Sequence, residues 1–241
     1  MHSEFAYIYD EVMEIANYNE WYDFLKLMLK DINFNGTDIM DLGCGTGEIL
    51  IRLYKDGYKV LGVDISSDML SVAQDKMVED GISIPLVNMD MRELRLPVEV
   101  DLVVSFFDTI NYLTSENELE TTLENIYKHL PKNGFFIFDI VTRKLIDDMF
   151  ENNIFLDERE EITIIWRHFY NEEEGLDDFH TVYFVEFEKN YYKKIEEFHQ
   201  KKIFEIGVVE KIAEKVGFKI AKKYENIELA GERIFFVLEK V

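Results

Sequence analysis

The apolar positions of this chain follow two different spacings. Short, almost continuously apolar runs occur at 38–42, 59–64, 85–90, 101–107 and 135–139. Strands buried on both faces read this way, because helices cover each side of a parallel sheet. Between the runs the spacing turns helical. Met69, Leu70, Ala73 and Met77 form one stripe after Ser67, a candidate N-cap, and Leu119, Leu123, Ile126 and Leu130 form another, closed by Pro131 and Gly134. Residues 48–55 complete a third helix, so 37–141 read β-α-β-α-β-β-α-β. The connection between the third and fourth strands is short and leaves little room for a crossover helix.

The pattern then changes. Residues 162–169, 181–187 and 191–198 alternate as strands around polar loops such as 171–178, the mark of an antiparallel insertion. A helix at 207–215 ends at Gly217, and strands at 218–224 and 233–240 follow. Residues 1–35 are helical, amphipathic and rich in aromatic side chains. The expected fold is α/β: a doubly wound, mostly parallel seven-stranded sheet with helices on both faces, plus a small antiparallel β insertion. We divide the chain into a helical lid (1–35), a cofactor-binding unit (36–142 and 203–241) and a substrate-side insertion (143–202).

Composition narrows the functional classes. In 241 residues, 26 Lys and Arg stand against 49 Asp and Glu, a net charge of −23. That field repels nucleic acid, which would have to meet a local basic patch such as Lys193, Lys194, Lys201 and Lys202. The single cysteine, Cys44, excludes an internal disulfide and a cysteine-held metal centre. The acid pairs Asp147/Asp148 and Asp177/Asp178 lack an ion-binding loop pattern, so no metal is expected. No run of 18 apolar residues and no basic, apolar leader is present. We expect a soluble cytoplasmic protein of open oligomeric state, with no membrane partner.

The central motif is Met40-Asp-Leu-Gly-Cys-Gly-Thr-Gly47, between the first strand and first helix. In an open α/β sheet, ligands bind at that edge. A dinucleotide fingerprint would place its third glycine where Glu48 stands, and that carboxylate opposes a pyrophosphate at the helix start. A phosphate loop would need Gly-Lys-Ser/Thr, which is missing. The glycine spacing therefore fits a ligand without phosphates. Asp64 ends the second strand, where a carboxylate can accept both hydroxyls of a ribose. Asp90 ends the third, where it and the next backbone N–H can take an adenine edge.

These three strand ends resemble the class I S-adenosylmethionine-dependent methyltransferases, strongly over 37–141 and loosely over the whole chain. The resemblance implies S-adenosyl-L-methionine as cofactor. Asp41, Gly43 and Gly45 would hold its methionine part, Asp64 the ribose with Ile65 and Met69 nearby, and Asp90 and Met91 the adenine. Tyr9-Asp10-x-x-Met13, Tyr18-x-x-Trp21 and the segment from Phe107 to Leu113 are similar to small-molecule, glycine N-methyltransferase-like members. Tyr9, Tyr18, Trp21 and Phe107 join the cofactor set, since aromatic faces favour a sulfonium charge.

Asp108 and Asn111 are the candidate catalytic residues, placed to orient or deprotonate a nucleophile. His168, His180 and His199 are further candidates in or beside the insertion, with a structural role favoured for any one of them. The reading is methyl transfer to a nitrogen or oxygen of a small molecule. Alternatives are an RNA or protein methyltransferase, or a non-catalytic adenosylmethionine-binding protein.

Overall fold

The computed structural model describes residues 3–150 and 153–241. The first two residues of the expected lid and residues 151–152 of the expected insertion lie outside these. Helix α1 (Ser3–Val12) passes through a 3-10 turn (Met13–Ala16) into α2 (Tyr18–Asp31). Then follow β1 (Asp38–Leu42), α3 (Glu48–Lys55), β2 (Lys59–Asp64), α4 (Ser67–Glu79), β3 (Leu86–Asn88), β4 (Leu102–Ser105), α5 (Glu116–His129) and β5 (Phe135–Val141). A helix α6 (Arg143–Met149) leads to four strands, β6 (Ile154–Glu158), β7 (Ile162–Asn171), β8 (Leu176–Glu188) and β9 (Tyr191–Lys202). The chain closes with α7 (Ile206–Val216), β10 (Phe218–Glu225), a single turn α8 (Ile227–Ala230) and β11 (Arg233–Lys240).

The main sheet has seven strands in the order β10-β11-β5-β4-β1-β2-β3. All neighbours are parallel except β11, which runs antiparallel to both β5 and β10. Strands β4, β5 and β11 are almost entirely buried, as their continuous apolar runs required. The chain order reverses between β1 and β4, and a crevice opens outside their carboxyl ends. The path from β3 to β4 contains only a 3-10 turn at Met91–Glu93. The expected stripe Met69, Leu70, Ala73 and Met77 is buried. Its cap is Ser66 rather than Ser67: the Ser66 hydroxyl accepts the N–H of Met69 at 3.3 Å.

Strands β6 to β9 form a separate antiparallel sheet, one strand larger than the alternation suggested. β6 escaped notice because its five residues mix exposed and half-buried positions without a clean apolar face. α6 is only seven residues long, set by the Thr142 cap on Leu145. In β9, alternation sends Lys193 and Lys201 to one face and Lys194 and Lys202 to the other. Lys193 pairs with Glu4 and Lys194 with Glu196, so the four lysines form no basic patch.

Candidate functional site

The crevice continues into a cavity of about 690 Å³, between the carboxyl edge of the main sheet, α1 and the inner face of the second sheet. Its near wall is the glycine turn. Gly43, Gly45 and Gly47 all have positive φ, a region that side chains disfavour. At Gly43 a Cβ would lie 2.3 Å from Cγ2 of Thr109, so glycine lets the loops after β1 and β4 close on each other. At Gly45 a Cβ would point into open space, which leaves a cradle of bare backbone. Cys44 is buried, and burial pushes its thiol up, which fits packing and not nucleophilic chemistry.

Asp64 accepts the N–H of Gly45 and of Ser66, each at 2.8 Å, and so fixes the turn against β2. Burial raises its pKa, and those N–H groups offset part of the rise. Asp41, 4% exposed, has its carboxyl pushed up to about 7 by burial, with the charge of Asp64 adding to it. Two acids held above their ordinary range, with no ion pair to either among the described residues, suit a ligand that brings positive charge.

Asp41 lines a small cleft adjoining the main cavity, together with Tyr9, Tyr18, Gly43, Gly45 and Phe107. Ile65, Met69, Asp90, Met91 and Trp21 line the main cavity with Tyr9, Gly43, Gly45, Asp64 and Phe107. The folding thus brings together the residues expected around the cofactor. Trp21 packs on Phe107 at 4.3 Å and under the Arg233 guanidinium at 5.7 Å, so it chiefly backs Phe107. Asp90 is bound by the Arg92 guanidinium, which also reaches Glu118. Glu48 is held by Lys76 and Arg52: burial raises its pKa, but the two cations outweigh that and keep it low.

Phe107 and Asp108 both adopt positive φ, at 59° and 53°. Two consecutive non-glycine residues there store strain on the order of 1–3 kcal/mol each. The surroundings hold them in place. The N–H of Asp108 donates to Asp139 at 3.0 Å, and the Thr109 hydroxyl donates to the carbonyl of Phe106 at 2.7 Å. The Asp108 carboxylate is clamped by Lys201 on one oxygen and by Arg233 at 2.6 Å on the other. Burial pushes its pKa up, but the two cations prevail and hold it below the ordinary range. Arg233 also meets Asp139 at 2.8 Å; burial still raises Asp139 to about 6.

Asn111 does not line the cavity, contrary to expectation. Its amide donates to the carbonyl of Lys202 at 2.7 Å and accepts the N–H of Val141 at 3.0 Å. Both amide groups are thus spent on tying the end of β9 to the end of β5. Of the three histidines, His199 lines the cavity; burial and Lys201 push it down to about 4, so it is neutral at pH 7. His168 is buried against Asp177 at 3.0 Å, and His180 stacks on Phe198. Arg233 carries no motif, and Lys201 stands out in the sequence only as one of four clustered lysines. Only the register of β9 and β11 reveals that they converge on Asp108. No group of three or more His, Cys, Asp or Glu among the described residues could hold a metal ion.

A family model described as a methyltransferase domain matches residues 39–134. A protein of Geobacillus sp. (strain WCH70), named as a methyltransferase, is 33% identical over 245 residues, with 99% of each chain covered. The chain belongs to the class I S-adenosylmethionine-dependent methyltransferases. A solved S-adenosylmethionine-dependent methyltransferase from Clostridium acetobutylicum is 27% identical with a TM-score of 0.87, covering 98% of this chain and 97% of its own. An adenosylmethionine-bound amino pentose methyltransferase from Micromonospora echinaspora shares the fold, with a TM-score of 0.78, 17% identity and 97% of each chain covered. The cofactor of this methyltransferase is S-adenosylmethionine. The bare glycine backbone and the acids Asp41 and Asp64, held by backbone N–H groups, fit it. No helix among the described residues is long and apolar enough to cross a membrane.

Proposed function

We propose that this methyltransferase acts on a nitrogen or oxygen atom of a small molecule. The observation that carries the reading is the cavity between the main sheet, α1 and the second sheet, with Asp108 in its lining just after β4. Its volume lies within the roughly 300–1,000 Å³ usual for small ligands. Solved relatives that act on amino sugars are consistent with such an acceptor.

Asp64 would take the ribose hydroxyls on its remaining lone pairs, and Asp41, Gly43 and Gly45 would hold the methionine part. Asp90 and Met91 take the adenine. When bound, the cofactor supplies a methyl carbon on a positive sulfur, which an acceptor lone pair takes as the C–S bond breaks and the sulfur leaves neutral. Asp108, ionised and fixed from two sides, accepts a hydrogen bond from the acceptor's N–H or O–H and orients its lone pair. With its pKa held down it is a poor base, so its role is alignment. Residues 1–35 act as the lid and 143–202 as the acceptor-side wall, which exclude water. Asn111 positions the Asp108 segment from behind.

Replacing Asp64 removes the ribose acceptor and loosens Gly45 together. Asp64→Ala is expected to weaken adenosylmethionine binding by roughly 100-fold, as for loss of charge-assisted hydrogen bonds. Titration calorimetry checks it, and unchanged affinity would reject the site. Release of S-adenosylhomocysteine against a panel of small amines and phenols separates a transferase from a protein that only binds the cofactor.

A further inference from the structure

The acceptor half of the cavity has a composition of its own. Phe150, Phe155, Trp166 and Phe179, from the end of α6 and the second sheet, form one cluster, with Phe155–Trp166 centroids 5.4 Å apart and Phe150–Phe179 5.8 Å apart. All four line the cavity, opposite the glycine turn, and Lys201 Nζ lies over the Phe179 ring at 5.3 Å.

Apart from Asp64, which the proposed function gives to the cofactor, the charges of the wall are already matched. Among the described residues, four cationic side chains line the cavity, and each is committed. Arg92 holds Asp90 and Glu118, and Arg159 holds Asp157 and the carbonyls of Glu11 and Val12. Lys201 holds Asp108, and Arg233 is shared by Asp108 and Asp139. Beside Asp108 an anionic acceptor would have to pull Lys201 or Arg233 from a buried carboxylate, and removing one member of such a pair is strongly unfavourable. A cationic acceptor meets the same obstacle at Asp90, Asp108 and Asp157, while His199 offers no charge.

We propose that the methyl acceptor is a neutral, flat, ring-bearing molecule with a phenolic O–H or aromatic N–H. Its body lies against Phe150, Phe155, Trp166 and Phe179, and its polar hydrogen faces Asp108. The inference rests on the small-molecule methyltransferase reading and names the acceptor class. In the transfer the acceptor's O or N gains the methyl carbon, the C–S electron pair goes to sulfur, and the acceptor's proton, made strongly acidic as the new bond forms, crosses its hydrogen bond to Asp108 and leaves to solvent when the site opens.

The test uses the full chain saturated with S-adenosylhomocysteine and titrated by calorimetry with 2-naphthol, 2-naphthoate and glucosamine. The first two share a ring system and differ in charge at pH 7. Expected is saturable 1:1 binding of 2-naphthol, with 2-naphthoate and glucosamine at least about tenfold weaker, the scale of one disrupted ion pair. Phe179→Leu is expected to weaken 2-naphthol about tenfold, through lost ring contact, while S-adenosylhomocysteine affinity stays unchanged and reports a folded site. Equal or tighter binding of 2-naphthoate or glucosamine overturns the proposal, as does absence of 2-naphthol binding. A folded Phe179→Leu protein that binds 2-naphthol undiminished overturns it as well. If S-adenosylhomocysteine itself fails to bind the unaltered chain, the failure lies with the cofactor-site reading instead.

Discussion

Asp41 and Asp64 illustrate how one residue type acquires different duties from its surroundings. Asp64 spends lone pairs on two backbone N–H groups, whereas Asp41 is sealed from water with the N–H of Leu50 as its compensation. A carboxyl raised to about 7 binds a proton in the folded state that the unfolded chain releases near the ordinary value of 3.8. Its contribution to stability therefore falls as pH rises from about 4 through 7. Asp41→Asn removes that titration. Relative to the unaltered protein, the cofactor-free variant is expected to gain on the order of 2 kcal/mol between pH 5 and pH 8, from ~1.4 kcal/mol per pKa unit. Urea unfolding at the two pH values checks this, and a constant difference would refute it. On the proposed function, a cationic cofactor beside Asp41 favours its charged form. Adenosylmethionine affinity is therefore expected to rise from pH 6 to pH 8 in the unaltered protein and to stay flatter in Asp41→Asn, as measured by calorimetry.

Among the elements, α1 is tied to both sides of the site. Asp10 accepts the Thr46 hydroxyl at 2.6 Å and meets Lys76 at 2.6 Å, which binds the helix to the glycine turn and α4. Arg159, on the loop after β6, donates to the carbonyls of Glu11 and Val12 in the same last turn, from the side of the second sheet. These are carbonyls at a helix terminus, which otherwise lack intrahelical partners. Arg159→Ala is expected to raise amide exchange across residues 4–13 by about tenfold, the equivalent of ~1.4 kcal/mol lost from local opening, with α4 unaffected. Hydrogen-exchange mass spectrometry reads it, and unchanged exchange in α1 would show that the Asp10 anchor suffices alone. These contacts could not be read from the chain, because Glu11 and Arg159 are 148 residues apart and a carbonyl leaves no trace in a side-chain pattern. The centre of the main sheet was legible because β1, β4, β5 and β11 are buried on both faces. The five-residue β6 and seven-residue α6 were not, since segments so short carry too few positions for either period.

Across the whole molecule, the net charge of −23 resides in exposed helices and loops, while the four lysines of β9 are split between two faces and engaged one by one. No basic surface is left there to hold a phosphate backbone. A gel-shift assay with total tRNA at low salt is expected to show no complex, and a shift that weakens with salt would restore the RNA alternative. The glycine turn and the acids at three strand ends were readable in one dimension, because backbone conformation and strand burial restrict residue types locally. Asp108 could be named as a candidate from its place after β4, but its state could not. Lys201 and Arg233 reach it from 93 and 125 residues away. Asn111 was misjudged for the same reason, its amide being consumed by two backbone groups from distant strands. Local periodicity and turn chemistry determined the sheet and the glycine turn at its carboxyl edge. Long-range register alone decided which charges cancel around Asp108, because ion pairs between distant strands leave no local pattern.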